Sequence, residues 1–359
     1  MLRNILLAAS MAIRALGSLK DLAHCDPLRK DMRCPPDPAF AGKASFNFST
    51  TGWDQKDLED FWEIDNDTVH DRRRLGFGTA AEGVAVGVWK AADAPTLVSR
   101  KYMLFGKVSV TVKAAKGQGI VTAITLKSDS GDEIDWELLG AYEKQAASNY
   151  FYDGKALFNT YNDTYPLPTS SYDAYHTYTI EWTDTRLVLS IDAAPRKTWR
   201  LGDNFLPPGA WPQTPMQLKL GVWSVANGTA ASDPGEVRWA GGPPDWEGSG
   251  APFVAHFAAV EVEDYMGGCT RARDGAAVRY RYDERTVGWR HVLVDGCEER
   301  VPGADLATAS PSAAGEPGPT PTAEAGAEGG QQDEDDAAVL LGLSSPLAAI
   351  VCLCWLLVL

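Results

Sequence analysis

The sequence predicts an all-β fold, a sandwich or jelly roll. Three observations carry that reading. Short segments between residues 40 and 300 alternate apolar and polar side chains with the period of a strand. No amphipathic stretch of about three helical turns stands among them. The 34 Gly and 22 Pro fall largely between the alternating segments, as turns would place them.

In chain order, residues 1–23 read as a secretory signal peptide. Arg3 gives a positive start, and Ile5 to Leu16 is apolar apart from Ser10 and Arg14. The segment Cys25 to Pro38, with Pro27, Pro35, Pro36 and Pro38, follows, and proline denies it regular structure. Gly106 to Lys113 is a strand, with Val108, Val110 and Val112 on one face. Lys116 to Gly119 is a turn, and Ile120 to Leu126 a second strand. Ser128 to Gly131 then leads into Glu133 to Leu139. Asn149-Tyr150-Phe151 is a short strand, and Tyr178–Trp182 with Leu187–Ile191 forms a hairpin. Met216 to Trp223 places Met216, Leu218, Leu220 and Val222 on one face, and Trp223 on the polar one. Val254 to Val262 is the last long strand. The strand-rich domain is therefore expected over residues 24–300.

Beyond it the composition changes. Residues 301–336 contain no Lys or Arg and eight Asp or Glu, with Ala, Gly, Pro, Ser and Thr. Such a segment buries too little apolar surface to offset its ordering entropy, and it reads as an unstructured stalk. Residues 337–359 are apolar and end without a basic flank, which reads as a GPI-attachment signal that is removed on maturation. The formal charge is −15, of which the stalk supplies −8 and the rest −7. No basic stripe is present, so nucleic acid is not an expected partner.

Six cysteines fall in three pairs along the chain. Cys25 with Cys34, and Cys269 with Cys297, read as disulfides formed in an oxidising compartment. Cys352 and Cys354 lie in the apolar end. None has the spacing of a zinc cluster, and neither metal nor organic cofactor is expected. Sequons stand at Asn47, Asn66, Asn162 and Asn227. Signal, sequons and terminal segment together predict a secreted glycoprotein held at the cell surface by a GPI anchor.

The chemistry concentrates in Asp132-Glu133-Ile134-Asp135-Trp136-Glu137. Read as a strand, it puts Glu133, Asp135 and Glu137 on one face and Ile134, Trp136 and Leu138 on the other. Three carboxylates in a row repel one another, so fold stability alone does not favour them. A pair of carboxyl groups suits glycosidic-bond chemistry, in which one attacks and another carries a proton.

This segment resembles the Glu-x-Asp-x-Glu signature of glycoside hydrolase family 16, and its wider form is similar to the fungal Crh branch of GPI-anchored wall transglycosylases. Further blocks resemble that branch in the same order: Cys25-Asp-Pro-Leu with Cys34-Pro-Pro-Asp-Pro, Asn149-Tyr-Phe151, His176 to Trp182, Pro212 to Met216 and Trp239-Ala-Gly-Gly242. The resemblance implies a β-jelly-roll with a substrate cleft across its concave sheet. It implies a retaining enzyme that cuts chitin and joins the new end to β-glucan. It implies Glu133 as nucleophile, Glu137 as acid/base and Asp135 as the helper between them. Lys219, Trp223, Asn149, Tyr150 and Trp239 are then the expected sugar contacts. A monomer is expected. The chain departs from the branch's usual residues at Leu138, Ala141 with Tyr142, and Ala147. A plain endo-hydrolase of β-glucan or chitin, and a non-catalytic wall-binding protein, are the alternatives on the same fold.

Overall fold

The computed structural model describes residues 25–301, apart from 50–59, 65–74, 77–81, 92, 156, 158–159, 204–209, 226–233 and 249. The signal segment, residues 302–359, and the sequons at Asn66 and Asn227 lie outside the described residues.

In chain order the strands are β1 (Asp37–Pro38), β2 (Lys43–Asn47), β3 (Trp62–Ile64), β4 (Leu75–Gly76), β5 (Val84–Val88), β6 (Thr96–Met103) and β7 (Gly106–Lys113). They continue with β8 (Ile120–Ser128), β9 (Glu133–Leu139), β10 (Gln145–Phe151), β11 (Asp163–Pro166), β12 (His176–Trp182), β13 (Arg186–Ile191) and β14 (Ala194–Arg200). The last are β15 (Met216–Ser224), β16 (Phe253–Asp264), β17 (Cys269–Ala272), β18 (Arg279–Arg281), β19 (Leu293–Asp295) and β20 (Cys297–Arg300). The longest helix among the described residues, α1 (Pro234–Trp239), has six residues.

Two sheets make the sandwich, an all-β jelly roll. The seven-stranded sheet runs β11-β10-β9-β8-β15-β6-β3. The eight-stranded sheet runs β14-β13-β12-β7-β16-β5-β4, with β2 also paired to β16. The acidic strand β9 is internal, between β8 and β10, so both of its edges are hydrogen-bonded. Its inward side chains Ile134, Trp136 and Leu138 join Val108, Val110 and Val112 of β7 and Leu218, Leu220 and Val222 of β15 in one continuous core. Trp136 also binds across the layers: its indole N–H donates to the Thr179 carbonyl of β12 at 3.2 Å. Its ring packs on Tyr165 and Tyr178 with centroids at 5.6 and 5.5 Å. The strand that carries the acids is thus fastened by the side chains it turns inward.

The turn at Lys116–Gly119 does not join neighbours within a sheet. It carries the chain from β7, in the eight-stranded layer, to β8, in the seven-stranded one. The crossing is buried and satisfied: the Ala114 N–H donates to the Ser171 carbonyl and the Ala115 N–H to the Thr122 hydroxyl. Gly140 closes against the same turn, where a β-carbon would stand 2.3 Å from the Gly117 carbonyl oxygen.

The Cys25–Cys34 and Cys269–Cys297 disulfides are both formed. The second encloses the small sheet of β18 and β19, which with β1 packs beside the sandwich. Buried Asp264 ties that unit down. Its carboxylate accepts the Tyr280 hydroxyl at 2.7 Å and the amides of Ala41, Leu104 and Met266.

Candidate active site

The site starts from the alternation of β9. Asp132, one residue before the strand, is a buried carboxylate with four donors. The Asp153 amide donates to Oδ1 at 2.8 Å. The Gln213 and Thr214 amides and the Thr214 hydroxyl donate to Oδ2 at 2.8, 2.9 and 2.6 Å. The turn before it is pinned as well, since the Asp132 amide donates to the Ser128 hydroxyl at 2.9 Å. The entry to the acidic strand is therefore held on three sides, which fixes where Glu133 emerges.

Beyond Asp132, Glu133, Asp135 and Glu137 all lie on the outer face of the seven-stranded sheet. Register sets their neighbours. Glu133 stands between Lys127 and Phe151, Asp135 between Thr125 and Asn149, and Glu137 between Ala123 and Ala147. One strand further, Gln217, Lys219 and Gly221 of β15 continue these three rows. Small side chains thus flank Glu137, larger polar ones flank Asp135, and Glu133 stands between a lysine and a phenylalanine. The arrangement supplies hydrogen-bonding partners beside Glu133 and Asp135 and none from the two neighbouring side chains of Glu137.

The electrostatics differ along the row. Lys127 Nζ donates to Glu133 Oε2 at 2.5 Å, an ion pair with the cation directly across the β8–β9 ladder. Burial opposes the Lys127 charge, but Glu133 and Asp135 outweigh it and hold the ammonium above its ordinary value. Asp135 is 4% exposed. Burial pushes its carboxyl well up, and the Glu133 and Glu137 charges push the same way, against a hydrogen bond from Thr125. Glu137 is pushed up to about 8, first by burial, then by the Glu133 charge, then by Glu236 on α1. The row therefore pairs a carboxylate held against a cation with a carboxyl that keeps its proton near neutral pH. That is the division of labour that acid-assisted glycosyl transfer requires.

Of the expected sugar contacts, Lys219 and Asn149 lie on this outer face in the row of Asp135. The Asn149 Oδ1 also accepts the Tyr150 amide at 2.9 Å. Trp223 lies at the end of β15 past Glu137, where it stacks on Trp239 with centroids 6.2 Å apart and planes at 22°. Both rings are half-buried against Val121, Leu139, Val225 and Ala240. Tyr150 corrects the expectation. It is the register partner of Ile134, fully buried, and its ring stacks on Tyr161 at 4.3 Å. Strand alternation sends Asn149 outward and Tyr150 inward, so the pair cannot both face sugar.

The departures fall in different places. Leu138 points into the core and is 1% exposed, so it alters packing behind the acids. Ala147 is the outer-face neighbour of Glu137. Ala141 and Tyr142 meet Gly241, where a β-carbon would stand 2.4 Å from the Ala141 Cβ. Sequence reading passed over Thr125, Lys127, Asp132 and Glu236. The alternation of Ala123, Thr125 and Lys127 was a signal for the first two. Asp132 was visible as an acid ahead of the strand. Nothing local marks Glu236.

The model of the family described as glycosyl hydrolases family 16 matches residues 54–241. Crh-like protein 4 of Aspergillus fumigatus is 34% identical over 289 residues, which are 79% of this chain and 55% of that protein. The chain thus spans little more than half the length of that relative. Two solved structures, apo Crh5 transglycosylase and Crh5 transglycosylase in complex with NAG, are 31% and 32% identical, with TM-scores of 0.62 and 0.61. Each is covered completely, by 76% of this chain. On this match and these similarities, the chain belongs to glycosyl hydrolase family 16, where its relatives include Crh-like proteins.

Proposed function

We propose that this protein is a retaining cell-wall transglycosylase that cleaves chitin and transfers the new end to β-glucan. The observation that carries the reading is the row Glu133, Asp135, Glu137, with a cation on its first member and a raised carboxyl at its last. The similarity to a Crh5 transglycosylase solved with NAG supports an N-acetylglucosamine polymer as donor.

In this mechanism Glu133 attacks the anomeric carbon. The glycosidic bond breaks with its electron pair on the leaving oxygen, which takes the proton of Glu137. Glu133 is then a neutral glycosyl ester, and Glu137 a carboxylate. An acceptor hydroxyl gives its proton to Glu137 and its oxygen bonds to the anomeric carbon, while the ester electrons return to Glu133. Asp135 orients Glu133 from the next pleat. Transfer outruns hydrolysis when the cleft holds the acceptor longer than it admits ordered water. Trp223 and Trp239 supply the stacking surface for a sugar, and Lys219 and Asn149 supply polar contacts.

The rest of the chain fits an extracellular enzyme. Residues 24–300 form the catalytic domain, 1–23 its signal, 301–336 its stalk and 337–359 its GPI signal. Exposed Asn47 and Asn162 are available for glycosylation. The protein acts as a monomer at the cell surface.

The test offers a fluorescent chito-oligosaccharide with and without a β-glucan acceptor. A labelled hybrid polymer is the expected product. Shortened oligomers alone mark a hydrolase, and an unchanged probe marks a non-catalytic binder. Glu133→Gln abolishes the hybrid while the fold persists; retained transfer contradicts the role of Glu133. A GPI-specific phospholipase should release the protein from membranes, and continued retention after verified cleavage contradicts the anchor.

A further inference from the structure

The two glutamates of β9 are nearly equivalent in sequence, each two residues from Asp135, so something outside the strand must tell them apart. Among the described residues, few titratable groups face the row. β8 presents Lys127, β15 presents Lys219, β6 presents Tyr102 in the row of Glu133, and α1 brings Glu236 toward Glu137. On β10 the outer side chains Ala147, Asn149 and Phe151 do not titrate. Among the described residues, only Lys127 makes a charge-assisted hydrogen bond to one of the two glutamates, at 2.5 Å to Oε2 of Glu133. Its side chain is 43% exposed and that of Glu133 23%, so the pair sits at the cleft surface, within reach of substrate.

We propose that Lys127 is a positioning residue that makes Glu133, rather than Glu137, the attacking carboxylate. Its ammonium clamps Oε2 and leaves Oε1 to form the bond to the anomeric carbon. When the ester forms, the negative charge of Glu133 is gone and the ion pair with it. When the acceptor oxygen displaces Glu133, the electron pair returns to the carboxylate and the pair with Lys127 is restored. Lys127 therefore favours the departure of Glu133 in the second step, and before the first it holds the carboxylate in place. It also offsets the charge of Asp135, so that removing Lys127 leaves three acids with no nearby compensating charge from β8.

This inference rests on Glu133 being the nucleophile, and the test separates the two. Wild type, Lys127→Met and Lys127→Arg are compared for kcat and KM against pH with the chito-oligosaccharide donor. Losing a charge-assisted hydrogen bond between partly exposed groups is worth about a tenfold effect where the reaction depends on it. The kcat of Lys127→Met should therefore fall about tenfold near neutral pH. KM should change little, because Lys127 acts through Glu133. Lys127→Arg should recover most of the loss, since a guanidinium also donates to a carboxylate. A Lys127→Met profile that overlays the active wild type overturns the clamp alone. So does Lys127→Arg performing no better than Lys127→Met, which leaves Lys127 a role in packing. A wild type without activity on any oligosaccharide overturns the enzyme reading and the clamp together.

Discussion

Neutralising Glu133 should release the proton of Glu137 at lower pH. Glu137 is held up to about 8 by three causes, of which burial is the largest, the Glu133 charge the second and Glu236 the third. Glu133→Gln removes only the second. It also frees Lys127 from its counter-ion, which acts in the same direction. A neighbouring like charge is worth about 1–3 units, or about 1.4–4 kcal/mol. The apparent midpoint of Glu137 is therefore expected to drop by at least about one unit. It should stay above the ordinary carboxylate value of 4.5, because burial is unchanged. Carbon-13 titration of the side-chain carboxyl groups, assigned with Glu137→Gln, measures it. The same neutralisation occurs when Glu133 becomes an ester, and it is what converts Glu137 from acid to base between the two half-reactions. A midpoint that stays in place or rises in Glu133→Gln refutes the coupling on which that conversion depends.

Three further outcomes follow from the same geometry. Burial pushes Asp37 and Asp264 up to about 7, and Glu137 up to about 8. Each binds its proton more tightly folded than unfolded, so the stabilisation is full below about pH 4 and is lost as pH rises toward 7–8. Thermal melts should give a lower Tm at pH 8 than at pH 5, and the reverse order contradicts the assignment. Trp136→Ala removes a fully buried ring and its cross-layer hydrogen bond, at about 3–5 kcal/mol in denaturant unfolding; a loss below about 1 kcal/mol contradicts its anchoring role. Trp223→Ala should raise KM for oligosaccharide about fivefold, the equivalent of about 1 kcal/mol of lost stacking, with a smaller effect on kcat. An unchanged KM removes Trp223 from the sugar path.

The individual strands were legible because alternation is a local property. Val108, Val110 and Val112 declare an inward face without reference to any partner, and so do the apolar residues of β15. The division of strands between layers was not legible. β7 and β8 alternate in the same way, and only the buried contacts of Ala114 and Ala115 show that the chain changes sheets between them. The acids of β9 were legible as one face for the reason the strands were. The company they keep depends on register: Lys127 meets Glu133 only once the turn at Ser128–Gly131 sets the ladder. Glu236 reaches Glu137 through a helix that lies far along the chain. Tyr150 was misassigned by treating a block of adjacent residues as one surface, although on a strand neighbours face opposite ways.

The most direct measurement is the identity of the residue that becomes glycosylated. A donor with a fluorine at the second carbon or an equivalent trap slows breakdown of the intermediate, and peptide mass spectrometry then locates the adduct. The adduct is expected on Glu133, and it should be lost in Glu133→Gln. An adduct on Glu137, or turnover with inverted anomeric configuration and no adduct, would contradict a nucleophile at the lysine-paired end of the strand.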